Sequence, residues 1–175
     1  QNPNVIKAFS DIWEEKDLLT SFDGISVSLP CEVTNKGWHR GTGWLHCDQT
    51  LTDNSLQCVQ GFVTLYDVYE GDATLKVLRG SHKYHEEAAS EFDLTDKKDW
   101  LKLNDEQIEF YKNRGCEDAC LMMPKGSLVL WDSRTIHEGM IPQKTRENPN
   151  IRCVLYVCMT PKSWSIEADL RKKRK

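Results

Sequence analysis

The chain has 175 residues, 39% of them hydrophobic, with six Trp, five Tyr and five Phe. That is enough to bury a core without staples and too aromatic for a disordered chain. A formal net charge of −4 runs against a general nucleic-acid binder, which carries a basic excess. No apolar run approaches the roughly 20 residues of a membrane span.

Seven cysteines, an odd number without paired CxxC spacing, point to free thiols in a reducing intracellular compartment, the cytoplasm first. Cys58, Cys153 and Cys158 sit in apolar runs, where a thiol behaves as a small buried hydrophobe.

Along residues 4–20, Val5, Ile6, Phe9, Ile12, Trp13 and Leu18 recur at helical spacing and predict an amphipathic helix within an N-terminal segment 1–24. From 25 to 81, the short apolar stretches ISVSL, LQCVQGFVTLYDV and ATLKVL are broken by Gly-, Asn- and Asp-rich segments, the texture of strands. Residues 82–120 form a charged insert. Its predicted helix covers 104–112, with Asn104 as N-cap ahead of Asp105 and Glu106 and Gly115 as the stop. Strands return over 121–160, in GSLVLW and IRCVLYVCM, with a polar connection over 143–150 between them. Residues 161–175 end in RKKRK, a solvated tail, with nuclear targeting as the alternative. Strands on both sides of a helical insert, in one domain spanning 1–175, predict a mainly β, double-sheet barrel or jelly roll.

The chemistry is concentrated in GWLHCDQT, residues 43–50. In a strand, residues i and i+2 share a face, so His46 and Asp48 project together and Cys47 points away. A zinc site built on His46 and Cys47 is disfavoured on that ground. Two histidines and one carboxylate make the facial set of non-haem Fe(II), which leaves adjacent positions open for a cosubstrate and O2. By itself an HxD triplet carries little. His137, after an apolar strand and a short turn in GSLVLWDSRTIHEG, is the candidate third ligand. His39 in a Gly-rich stretch and His82 and His85 at the start of the insert fit less well, the last two suiting a turn or the surface. A dicarboxylate cosubstrate such as 2-oxoglutarate needs a cation for its far end, and an Arg fork suits it. Arg152 opens a strand after His137; Arg146, in the polar loop, is the rival and is expected to face solvent.

Taken together, HCD (46–48), GFVTLYDV (61–68), LKVLRGSHK (75–83), GSLVLWDSRTIHEG (126–139) and RCVLYVCMTP (152–161) resemble the phytanoyl-CoA dioxygenase-like family of Fe(II)/2-oxoglutarate oxygenases, over about residues 38–161. The resemblance implies a double-stranded β-helix of cupin-like type, with an N-terminal helix and a helical insert. It implies that His46, Asp48 and His137 bind Fe(II) and serve catalysis, and that Arg152 pairs with the 5-carboxylate of 2-oxoglutarate. Gln60 falls on the strand that faces the cosubstrate in such proteins, and O2 is the second cosubstrate. The implied reaction is hydroxylation of a C–H bond in a small molecule, with release of succinate and CO2. Two other classes remain: an oxygenase that modifies protein or nucleic acid, and a non-catalytic jelly-roll binding protein. Asp132, Ser133 and Arg134 are candidates for the mouth of the barrel, and Trp44 and Trp131 for an apolar wall.

Overall fold

Helix α1, Pro3–Trp13, opens the computed structural model, which describes residues 2–35, 44–94 and 100–173. Asn2 caps it by accepting from the Asn4 amide at 2.9 Å, and Pro3 takes the first turn, where its missing N–H costs nothing. The helix is shorter than the apolar spacing predicts. Glu14 turns left-handed (φ 53°), and the Glu15 carboxylate accepts from the Lys16 and Asp17 amides. Leu18 therefore begins a strand instead of a further helical turn.

The strands are β1 (Leu18–Thr20), β2 (Ile25–Ser28), β3 (His46–Cys47), β4 (Val59–Thr64), β5 (Thr74–Arg79), β6 (Leu101–Lys102), β7 (Glu117–Cys120), β8 (Leu128–Asp132), β9 (His137–Met140) and β10 (Arg152–Pro161). Helices α2 (Cys31–Thr34), α3 (His85–Glu91), α4 (Asp105–Asn113) and α5 (Glu167–Lys173) fall between or after them. Among the described residues the strands form two antiparallel five-stranded sheets, one running β1-β10-β4-β8 with β2 on β10, the other β6-β3-β9-β5-β7. This is the mainly β, jelly-roll architecture expected. Two findings differ from the segment-by-segment expectation. The charged insert contributes β6 and β7 to the second sheet, and the basic end forms α5, in which the Lys173 ammonium reaches the Thr20 carbonyl.

Alternation along the strands sorts the side chains. On β10, Val154 and Tyr156 face inward, opposite Thr64 and Phe62 of β4. Phe62, Leu75 and Val154 form the buried core between the sheets, joined by Val77, Val129 and Trp131. On the outer face Val157 and Met159 meet Phe9 of α1, which is fully buried. Gly61, between Gln60 and Phe62, has no room for a side chain: a Cβ there would stand 2.5 Å from Leu130 Cδ2 and 2.8 Å from the Val129 carbonyl oxygen.

Helices α3 and α4 cover the outer face of the second sheet, where Ala88, Phe110 and Tyr111 pack on Leu45, Cys47 and Leu78. Helix α4 starts with a full capping box: Asn104 accepts from the Gln107 amide, and Gln107 from the Asn104 amide, both at 2.9 Å. Gly115 (φ +80°) follows its end, as the sequence predicts. Asn104→Ala is expected to cost about 1 kcal/mol, read as a lower urea midpoint with an unchanged slope; no shift would remove the cap from this account. No helix of the described residues is long and apolar enough to cross a membrane.

Candidate metal centre

Strands β3 and β9 set the site. His46 and His137 stand directly opposite each other in register, so their side chains leave the second sheet on one face. Asp48 follows the end of β3. It returns to that face because Gln49, buried behind it, donates to the Asp53 and Ser55 carbonyls at 2.7 and 2.9 Å and accepts from Ser133 Oγ at 2.6 Å. The Nε2 atoms of His46 and His137 each lie 3.4 Å from an oxygen of Asp48. One ligand atom from each of the three residues lies within 4.8 Å of the other two.

The donor set suits a divalent cation. His46 Nδ1 lies 3.1 Å from the Trp44 carbonyl oxygen and His137 Nδ1 2.9 Å from that of Thr135. A carbonyl can only accept, so the proton of each neutral ring sits on Nδ1 and the Nε2 lone pair is free to ligate. Burial, with the neighbouring His137, holds the His46 pKa below the ordinary imidazole value. Burial works against ionisation of Asp48, but the neighbouring His137 ring and the hydrogen bond donated by Gln60 outweigh it and bring its pKa to about 2. His46 is thereby kept available beside an ionised carboxylate.

Gln60 on β4 reaches across from the first sheet and donates to Asp48 Oδ2 at 2.7 Å. Its Oε1 is buried without a partner, as is Nε1 of Trp131, which lies opposite it on β8. Both line a cavity of about 420 Å³ that also contains the three candidate ligands, Trp44 and Arg152. Trp44 stacks on His46, rings 4.3 Å apart at 14°. Trp44 and Trp131 thus face this cavity. Asp132, Ser133 and Arg134 do not line it: Arg134 folds onto Asp132 and the Asn54 carbonyl, and Ser133 is buried on Gln49.

The two arginines have different surroundings. Arg152 donates to Ser26 Oγ at 3.2 Å and lies 5.8 Å above the Phe62 ring. Among the described residues lining the cavity it is the one guanidinium or ammonium. Arg146 is not at the surface, contrary to expectation. Its side chain is 2% exposed, held by both oxygens of Glu32 at 2.7 Å and by Asp72 at 2.7 Å. Two carboxylates already occupy its donors.

His85 also departs from expectation. It is fully buried, with Nε2 2.9 Å from the Thr50 carbonyl oxygen and Nδ1 3.9 Å from Cys47 Sγ. His82 lies in the 3-10 turn Ser81–Tyr84, away from the three candidate ligands, and His39 lies outside the described residues. Cys47 points into the outer core, and burial pushes its thiol up to about 12.

Glu138 is a residue that the sequence reading missed. It is 2% exposed, pairs with Lys76 directly opposite on β5, and accepts from the Trp44 amide at 2.6 Å. It therefore holds the backbone of Trp44, the residue whose carbonyl orients His46. The available signal was a strand lysine, Lys76, with an apolar residue on either side.

The phytanoyl-CoA dioxygenase (PhyH) family profile matches residues 6–140. "Ava biosynthesis cluster protein O" of Aspergillus versicolor is 33% identical over 181 residues, 98% of this chain and 56% of that protein. The chain thus spans little more than half of that relative. HygX from Streptomyces hygroscopicus, solved with nickel and 2-oxoglutarate bound, superimposes with a TM-score of 0.58 at 13% identity, over 92% of this chain and 62% of HygX. SnoN, a non-haem α-ketoglutarate-dependent epimerase from nogalamycin biosynthesis, gives a TM-score of 0.53 at 11% identity, over 91% and 53%. At these identities the two structures establish the shared fold.

Proposed function

The chain belongs to the phytanoyl-CoA dioxygenase (PhyH) family, and from that premise we propose that it is an Fe(II)- and 2-oxoglutarate-dependent oxygenase acting on a small molecule. One observation carries the reading: two unprotonated Nε2 atoms and an ionised carboxylate converge in a cavity that also presents a guanidinium free of any carboxylate partner in the described contacts. His46, Asp48 and His137 hold the metal. Arg152 receives the far carboxylate of 2-oxoglutarate through charge-assisted hydrogen bonds. The unpartnered Gln60 Oε1 and Trp131 Nε1–H offer an acceptor and a donor beside it.

Bound iron and 2-oxoglutarate supply the oxidising chemistry, in which O2 converts 2-oxoglutarate to succinate and CO2 and oxidises a substrate C–H bond. The chain's own part is to orient and to enclose. Trp44 and Glu138 fix the His46 ring, Thr135 fixes His137, and Gln60 fixes the Asp48 carboxylate. Trp44, Phe62 and Tyr156 give the cavity an aromatic wall that suits a small organic substrate more than a polymer backbone. Hydroxylation is the default outcome at such a site; the name of SnoN keeps epimerisation as the second reading, separated by whether the product gains an oxygen atom.

Succinate release tests the proposal. With Fe(II), 2-oxoglutarate and air, wild-type protein is expected to form succinate in step with 2-oxoglutarate loss, faster with an accepted substrate. Equal rates in wild type and Asp48→Ala would sink the assignment.

A further inference from the structure

Two thiols outside the ligand set share the wall of the metal cavity. Cys58 lies one residue before β4 and Cys158 lies on β10, and their sulfurs stand 3.3 Å apart. Both are half-buried and line the cavity, so a small reagent that enters it meets them. Neither is an isolated core cysteine of the kind represented by Cys47 and Cys116.

Their position ties them to the metal centre. Cys158 stands directly opposite Gln60 in the β4–β10 register, and Cys58 precedes Gln60 by two residues on the same face. Gln60 is the side chain that donates to Asp48. The two sulfurs therefore sit together beside the residue that orients the candidate metal carboxylate. Their chemistry is also unequal. The hydrogen bond with Cys58 draws the Cys158 thiol below its ordinary value despite burial, and the same contact, with burial, pushes Cys58 up. The contact supplies the two neighbouring thiols that a sulfenic acid needs in order to resolve to a disulfide.

We propose that Cys58 and Cys158 are a reversible oxidation site, closed to a disulfide by peroxide, that weakens metal binding at His46, Asp48 and His137. One of the two, as thiolate, attacks one peroxide oxygen, the O–O bond breaks, and a sulfenic acid and water result. The other thiol then attacks that sulfur; the S–O bond breaks, the S–S bond forms, and the hydroxyl leaves as a second water. Two thiols and one hydrogen peroxide give one disulfide and two waters, with sulfur losing the two electrons that peroxide gains. Bringing the sulfurs from 3.3 Å to about 2.05 Å pulls the start of β4 toward β10 where Gln60 stands. The Gln60–Asp48 hydrogen bond is the contact displaced. Gln60 is here a positioning residue, and this control rests on the metal-centre reading above.

The test uses protein freed of metal by chelation, with Ni(II) as the metal probe. After hydrogen peroxide and iodoacetamide, peptide mass spectrometry is expected to find Cys58 and Cys158 cross-linked before exposed Cys120 loses its reactivity, with reversal by dithiothreitol. The oxidised form is expected to bind Ni(II) about 10- to 100-fold more weakly than the reduced form, the usual cost of losing a group that orients a ligand. Cys58→Ser is expected to keep the reduced-state affinity, lose the cross-link and its effect on Ni(II), and trap a sulfenic acid on Cys158 that dimedone labels. Both thiols remaining alkylatable after peroxide, or a cross-link with unchanged Ni(II) affinity, would overturn the proposal. Reduced protein that binds no Ni(II) overturns the metal-centre reading and the control with it, while the cross-link still reports the oxidation site by itself.

Discussion

Asp48→Ala is expected to lower divalent-metal affinity by more than about 100-fold, beyond the 10- to 100-fold range for residues that only orient a ligand. Asp48 supplies the one carboxylate of the candidate set, and without it two neutral imidazoles face a dication with no compensating charge. The side chain sits at the end of β3, 31% exposed, and belongs to none of the hydrophobic clusters, so the fold is expected to survive. The cost to stability is of the order of the lost Gln60 hydrogen bond, about 1–2 kcal/mol. Ni(II) or Co(II) titration by calorimetry, alongside circular dichroism, reads both quantities. A folded variant within tenfold of wild-type affinity would remove Asp48 from the centre.

The second large effect is a crossed one, between two arginines only six positions apart in sequence. Arg152→Ala is expected to weaken 2-oxoglutarate binding by about 1.5–3 kcal/mol, the range for hydrogen bonds to a charged group, or roughly 10- to 150-fold. Its partners in the structure are a serine hydroxyl and an aromatic face, so its removal strands no buried charge. Arg146→Ala is expected to do the reverse. It leaves Glu32 and Asp72 without their shared cation, which destabilises the fold. That is expected to lower Tm while 2-oxoglutarate affinity stays unchanged. Differential scanning fluorimetry and 2-oxoglutarate titration on both variants separate the roles. Loss of 2-oxoglutarate affinity in folded Arg146→Ala, with none in Arg152→Ala, would exchange them.

That crossing marks where the sequence stops being legible. His46, Asp48 and His137 could be picked out because strand periodicity and residue chemistry are local properties, and the structure brings them within ligating distance of one another. The choice between Arg146 and Arg152 is not local. It depends on Glu32 and Asp72 arriving from distant segments, and nothing near Arg146 announces them. The position of His85 at the start of the insert predicts a turn or the surface, but its ring is buried between Cys47 and the Thr50 carbonyl.

Helix ends and strand pairing set the other limits. The apolar spacing of α1 continues to Leu18, whereas the Glu15 carboxylate and the left-handed Glu14 end the helix earlier. The charged insert reads as helical by composition, yet Glu117–Cys120 forms a ladder with β5, since an edge strand can carry charge on its open side. Cys58 and Cys158 each read as a small hydrophobe; only the β4–β10 register makes them a pair.

The most direct test of the central claim is the visible absorption of the protein mixed anaerobically with Fe(II) and 2-oxoglutarate. Wild type is expected to show the broad metal-to-ligand charge-transfer band that arises when both bind at one centre, and Asp48→Ala is expected to lose it. A wild-type protein without the band, or an Asp48→Ala protein with an undiminished one, would contradict the assignment of His46, Asp48 and His137 as the iron site.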